Sequence, residues 1–268
     1  MKQLTFEENR QAQINTLITF AEFCEKNNLR YFLACGTLLG AVRHKGYIPW
    51  DDDIDVWLLR PDYDEFVRVF REKNTNPEYS IAIPGDKNAK HSFIKLYNNT
   101  TIKIEDGIKY KNDYLGVDID IRPLDGSPKD YNTYKKWYKK LKFHHLLFFA
   151  RISSLKYGSF IRKMKVFILK SICGTKKQIL AKQDKLHKKY SFANSEYIGA
   201  ASCYFDSIKV RFKKEWFEEY ILLDFEGKKF RAPKEYDKVL TAQYGDYMTL
   251  PPAEKQKPHQ CNNVFWKE

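Results

Sequence analysis

Two short stretches constrain this chain more than any other feature. Asp53-Ile54-Asp55-Val56 and Val117-Asp118-Ile119-Asp120-Ile121 both alternate acidic with aliphatic residues. A strand turns successive side chains to opposite faces. Asp53 and Asp55 therefore share one face while Ile54, Val56 and Leu58 take the other, and Asp118 and Asp120 share a face opposite Val117, Ile119 and Ile121. Anions held side by side repel and resist desolvation unless a cation joins them, so a divalent metal is the simplest explanation. A lone Asp-x-Asp is weak, because a solvated strand face alternates in the same way. Two acidic strands, the first reached soon after Gly36-Thr37, are a more specific signal.

The surrounding pattern predicts a mixed α/β domain. Thr5 and Glu8 form a capping-box signature ahead of Ile14, Leu17, Ile18, Ala21 and Cys24, which recur at helical spacing and predict a helix over about 6–27. Residues 30–35 read as a buried strand running into Gly36, 37–42 as a short helical piece, 53–59 as a second strand, and Pro61 and Asp62 as the start of a helix reaching about Arg71. Further strands are expected over 92–97, 101–105 and 117–121, closed by a turn at Pro123, Asp125 and Gly126. The last third reads as loops and short helices, one around 214–220.

Charge is unevenly spread. Between Lys129 and Tyr190 there are 18 Lys and Arg against only Asp130 and Asp184, more positive charge than the net +13 of the whole chain. Aromatic and aliphatic residues interleave with those cations, which predicts two amphipathic helices broken near Gly158. They either lie on an anionic membrane surface or pack inward and leave their lysines in solvent. Nucleic acid is not an expected partner, because no helix-turn-helix, zinc or RNA-binding motif accompanies the charge. Cys24, Cys35, Cys173, Cys203 and Cys261 are scattered without metal-type or redox-type spacing and read as reduced cytoplasmic thiols. No apolar run approaches the roughly 20 residues of a spanning helix, and no signal-peptide pattern opens the chain.

Gly36-Thr37 suits a phosphate site, where a small residue lets backbone N–H groups approach phosphate oxygens at a helix N-terminus; a plain strand-to-helix turn is the alternative. Arg43, His44 and Lys45 form a cationic cluster able to hold a diphosphate, or a solvated loop.

The stretch YFLACGTLLGAVRHKGYIPWDDDIDVWLLRPDYDEF resembles the signature of the LicD family, whose members are similar to nucleotidyltransferase-fold enzymes and include phosphorylcholine transferases and fukutin-type proteins. Residues 118–126 are similar to the family's aspartate-bearing strand, and WFEEYILLDFEGKKFRAPKEYDKVLTAQYGDYMTLPPAEKQKPH to its C-terminal region; the basic middle matches loosely. The resemblance implies a nucleotidyltransferase-type mixed sheet flanked by helices with a basic helical insertion. The expected division is 1–128 catalytic core, 129–190 insertion and 191–268 completing the core.

It implies Asp53, Asp55 and Asp120 as catalytic ligands of Mg²⁺ or Mn²⁺, and His259 as the family's C-terminal histidine. Arg122 stands where an aromatic is expected, which makes it a metal-site neighbour or a phosphate contact; Asp118 is an extra acid, ligand or neighbour. The implied reaction moves phosphorylcholine or a similar phospho-alcohol from CDP-choline to a sugar hydroxyl of a glycan precursor such as teichoic acid or lipopolysaccharide, releasing CMP. Asp120 and then Asp118 are the candidate bases, and Tyr47, Trp50 and Trp57 are candidates for a cage around a quaternary ammonium or else packing residues. The expected acceptor is lipid-linked, and the expected place is the cytoplasm at the inner membrane face. The alternatives are a nucleotidyltransferase moving a nucleoside monophosphate and a non-enzymatic nucleic-acid- or membrane-binding protein.

Overall fold

A computed structural model describes residues 1–86, 89, 91–104, 115–153, 159–199, 208–257 and 263–267. Helix α1 (Phe6–Lys26) opens on the capping box: the Glu8 N–H donates to Thr5 Oγ1 at 3.1 Å and the Thr5 N–H donates to Glu8 Oε2 at 2.8 Å. Its buried stripe includes Leu17, Phe20 and Cys24, and Phe20 packs edge-on against Tyr31. Strand β1 (Tyr31–Leu33) leads into α2 (Cys35–Arg43), followed by β2 (Asp55–Leu59) and α3 (Arg60–Lys73). Strands β3 (Tyr79–Ala82), β4 (Ile94–Asn98), β5 (Thr101–Ile104) and β6 (Asp118–Ser127) complete the first half.

Three helices, α4 (Tyr131–Ile152), α5 (Phe160–Ile172) and α6 (Lys176–His187), form the basic segment. After them come β7 (Tyr197–Gly199), β8 (Arg211–Lys213), β9 (Tyr220–Phe225), β10 (Lys228–Pro233), α7 (Tyr236–Tyr244) and β11 (Asn263–Trp266). The main sheet is mixed, in the order β1-β2-β6-β4-β3, with β7 added to the far half of β6 and β8 to β7. β2 and β6 run parallel; the other pairs in the sheet are antiparallel. The expected mixed sheet flanked by helices is present.

Several local expectations are corrected. Strand β6 does not end at Pro123 but runs on to Ser127. The Asp120 N–H donates to Ile54 O on the β2 side, so by alternation the missing N–H of Pro123 faces the other edge. There β4 pairs only residues 118–121 and β7 only 125–127, so no ladder bond is lost. Over 214–220 only Lys214–Phe217 is helical, as a 3-10 turn, and Tyr220 already begins the β9–β10 hairpin. Glu226 and Gly227 both take positive φ, 50° and 72°, which matches the strand twist in a two-residue hairpin turn.

The basic segment has three helices rather than two. The second break is Gly174, whose φ of 74° suits glycine; Gly158 lies outside the described residues. Helix α4 turns Tyr134, Trp137, Leu141, Leu147 and Phe148 inward, and Trp137 Nε1 donates to Leu186 O at 2.9 Å. Lys136, Lys139, Lys140 and Lys142 are consequently a solvated face. No described helix is long and apolar enough to cross a membrane.

Candidate active site

The loop 44–54 carries the acidic run to the sheet, and its shape is fixed from two sides. Arg10 Nη2, on α1, donates to the carbonyls of Ile48, Pro49 and Asp51 at 3.3, 3.2 and 3.1 Å. Gln13 donates through Nε2 to Asp52 O at 2.9 Å and accepts from the Tyr47 hydroxyl at 2.9 Å. From the hairpin, Glu226 accepts the Tyr47 N–H at 2.9 Å while its own N–H donates to Lys45 O at 3.0 Å. A side chain at Gly46 would meet the Glu226 carboxylate, which would have to swing away from the Tyr47 N–H.

This loop and the strand after it face a cleft of about 670 Å³ lined by Asp51, Asp53, Asp55, Arg122, Arg43 and Trp50, with residues of α2 and of the segment 244–251. Carboxylate oxygens of Asp51, Asp52 and Asp53 lie within 4.8 Å of one another. Burial, reinforced by neighbouring carboxylates, pushes Asp51 up to about 6 and Asp53 and Asp55 to about 7. Crowding of these acids makes full ionisation unfavourable until a cation joins them. A donor set of carboxylate oxygens of this kind fits a hard divalent cation such as Mg²⁺ or Mn²⁺ better than zinc or copper, which favour imidazole and thiolate.

Behind the cleft the sheet register builds an ion network. Asp55 and Asp120 are directly paired across β2 and β6, and Lys95 stands opposite Asp120 on β4. Arg122 Nε donates to Asp55 Oδ1 and Arg122 Nη2 to Asp120 Oδ2, each at 2.8 Å, with the guanidinium 4.1 Å from the ring centroid of Phe93. Lys95 Nζ is 2.6 Å from both Asp120 Oδ1 and Asp118 Oδ2, and Lys103 Nζ is 2.7 Å from Asp118 Oδ1. Burial alone would raise Asp118, but Lys103 and Lys95 outweigh it and hold the carboxyl well below the usual range. Asp120 is likewise lowered, with Lys95 and Arg122 prevailing over burial.

The residues expected at the site therefore separate. Asp53, Asp55, Gly36, Arg43, Trp50 and Arg122 line the cleft. Gly36 lies inside the first turn of α2 and not in a turn before it; a Cβ there would overlap the Asp51 carboxylate. Helix α2 has no side-chain cap, and Cys35 enters it at φ 46°, a left-handed conformation that costs a non-glycine residue about 1–3 kcal/mol. Arg43 Nη1 donates to Tyr247 O at 2.7 Å, tying α2 to the C-terminal wall.

Thr37 is buried and acts on the backbone: Asp55 N–H donates to its Oγ1 at 2.9 Å. His44 stands edge-on to Trp50, with ring centroids 6.4 Å apart, and Lys45 is exposed on a left-handed turn; neither lines the cleft. Asp118 sits between two lysines. Asp120 lies beside Asp55 with its oxygens held by Lys95 and Arg122, and carboxylate oxygens of Asp51, Asp52 and Asp53 form a second cluster next to it. Tyr47 and Trp57 are core residues; Trp57 packs against Phe212 and Phe217. His259, Cys203 and Cys261 lie outside the described residues, while Cys24, Cys35 and Cys173 are buried and unbridged.

Asp51 also lines the cleft, although the alternation of Asp53 and Asp55 does not single it out, and Tyr244, Asp246, Tyr247 and Thr249 reach it only through the tertiary fold. Because Thr37 serves Asp55 and not solvent, Thr37→Val should leave a buried N–H unsatisfied. The expected cost is about 1–3 kcal/mol, read as a lower urea midpoint at unchanged slope.

The family model described as LicD/FKTN/FKRP, nucleotidyltransferase domain, matches residues 28–149. A lipopolysaccharide cholinephosphotransferase LicD of Haemophilus influenzae is 35% identical over 273 residues, 99% of each chain. An uncharacterized protein of Rickettsia typhi is 48% identical over 48 residues, 18% of this chain and 16% of its own. Another, of Rickettsia prowazekii, is 54% identical over 41 residues, 15% of each.

Proposed function

Because the chain belongs to the LicD family, we propose that it is a cholinephosphotransferase that moves phosphocholine from a cytidine diphosphate donor to a sugar hydroxyl of a glycan such as lipopolysaccharide or its lipid-linked precursor. The relative whose printed name carries that activity aligns along the whole chain. The observation that carries the reading is the clustering of Asp51, Asp53 and Asp55 beside Arg122 in one cleft. Asp53 and Asp55, with Asp51 alongside, would hold Mg²⁺ or Mn²⁺. When bound, the cation would neutralise and polarise the donor's diphosphate.

The protein's own residues position and exclude. Arg43 and Arg122 face the cleft as planar cations suited to phosphate oxygens, and the uncapped start of α2 contributes Cys35 and Gly36 to the same wall. The acceptor oxygen bonds to the β-phosphorus as the bridge to the α-phosphate breaks, so CMP leaves with the electron pair and the acceptor hydroxyl's proton passes to water. Asp120 and Asp118 are paired with cations and held low, which weakens them as proton acceptors.

Trp50, with Tyr244 and Tyr247, gives the cleft aromatic faces for a quaternary ammonium. The testing experiment follows product formation from CDP-choline. CMP and a phosphocholine-bearing acceptor are expected; pyrophosphate release from a nucleoside triphosphate would support nucleotidyl transfer instead. Trp50→Ala should raise KM for CDP-choline by roughly 3- to 30-fold and leave KM for CDP-glycerol nearly unchanged. An equal rise for both donors would show that Trp50 only packs.

A further inference from the structure

Helix α5 has no buried residue. Phe160, Ile161, Met164, Phe167, Ile168 and Ile172 are 50–78% exposed, and at 3.6 residues per turn they fall on one face. The opposite side of the helix carries Val166 and Leu169, both half-buried, with Leu169 packed on the cluster of Leu147, Phe148, Ile152 and Ile179. The helix is therefore seated by its less apolar side and presents its more apolar side outward. On the helical wheel Lys165 borders the stripe on one edge and Lys163 on the other, while Lys170 turns inward to donate to Ser153 O at 2.8 Å, and α5 contains no acid. Phe143 and Leu146 of α4 are also exposed.

We propose that this face of α5 seats in the headgroup region of an anionic lipid bilayer, with the helix lying in the membrane plane. Thirteen residues span roughly 20 Å, too short to cross a bilayer. An apolar stripe edged by lysines is complementary to acyl chains below and anionic headgroups beside it. The cations that matter are those beside the stripe and not the solvated row on α4. The inference is independent of the transfer reaction, since binding to vesicles needs neither donor nor acceptor.

The test is co-sedimentation of the full chain with vesicles of phosphatidylcholine alone and of phosphatidylcholine with phosphatidylglycerol. Sedimentation is expected with the anionic vesicles, weakening as salt rises. The triple variant Met164→Ser, Phe167→Ser, Ile168→Ser should lower partitioning by at least about tenfold, with an unchanged thermal midpoint because the three side chains are already exposed. Lys163→Glu with Lys165→Glu should weaken binding roughly fivefold or more per position on anionic vesicles. A triple variant that still sediments like the parent would overturn the proposal. So would a parent that ignores anionic vesicles at low salt, or one that ignores them and forms a dimer dispersed by the triple substitution, which would make the occupant a second copy.

Discussion

Asp53→Asn and Asp55→Asn are each expected to abolish transfer, lowering the rate by about a thousandfold or more, while the protein stays folded. Both carboxylates face the cleft, and both are pushed up to about 7, by burial first and then by neighbouring acids. Asparagine keeps the volume and removes the anion. The fold should gain from losing that repulsion, whereas a site that stabilises charge in a phosphoryl transfer should lose several kcal/mol. The sign can be checked without substrate. A carboxyl with a raised pKa in the fold contributes its stability below about pH 4 and loses it as pH rises through about 7. In metal-free protein either substitution should thus raise the thermal midpoint more at pH 8 than at pH 5. A soluble Asp55→Asn protein with near-normal turnover would remove that residue from the chemistry.

Asp118→Asn should be strongly destabilising, by about 3–5 kcal/mol. The carboxylate is 3% exposed and bridges Lys95 and Lys103, so its loss removes a buried anion that both ammonium groups face. A midpoint lower by on the order of 10 °C is expected. Pairing Asp118→Leu with Lys103→Met should recover much of it, because a buried ion pair is often replaceable by apolar residues of similar size. The pH dependence is opposite to that of the cleft acids. A depressed carboxyl contributes stability above about pH 4 and loses it as pH falls, so the Asp118→Asn penalty should shrink in acid. An unchanged midpoint at pH 7 would show that the lysines are as well accommodated without it.

What could be read in advance follows from the range of the interactions. The α1 capping box depends on residues three apart, and the alternation of β2 and β6 on residues two apart, so both were visible in the sequence. The network behind the cleft was not. It requires the register that sets Asp55 beside Asp120 and Lys95 across from it, and no local pattern encodes that pairing. Pro123 looked like a strand end because the gap between β4 and β7 that tolerates it is made by strands distant in sequence. Gly36 suits a phosphate it could admit, while the fold also shows it making room for the Asp51 carboxylate. Trp57, from its position on a strand, reads first as a packing residue and second as part of a cage. The arrival of Phe212 and Phe217 from the far end of the chain places it in the core.

Binding of Mn²⁺, followed by electron paramagnetic resonance at pH 7.5 in the presence of CMP, probes the acidic cleft without turnover. One bound ion per chain is expected, displaced by excess Mg²⁺ and lost in Asp53→Asn and Asp55→Asn. No bound ion, or equal binding in folded Asp53→Asn and Asp55→Asn proteins, would contradict a divalent-cation site built on these carboxylates.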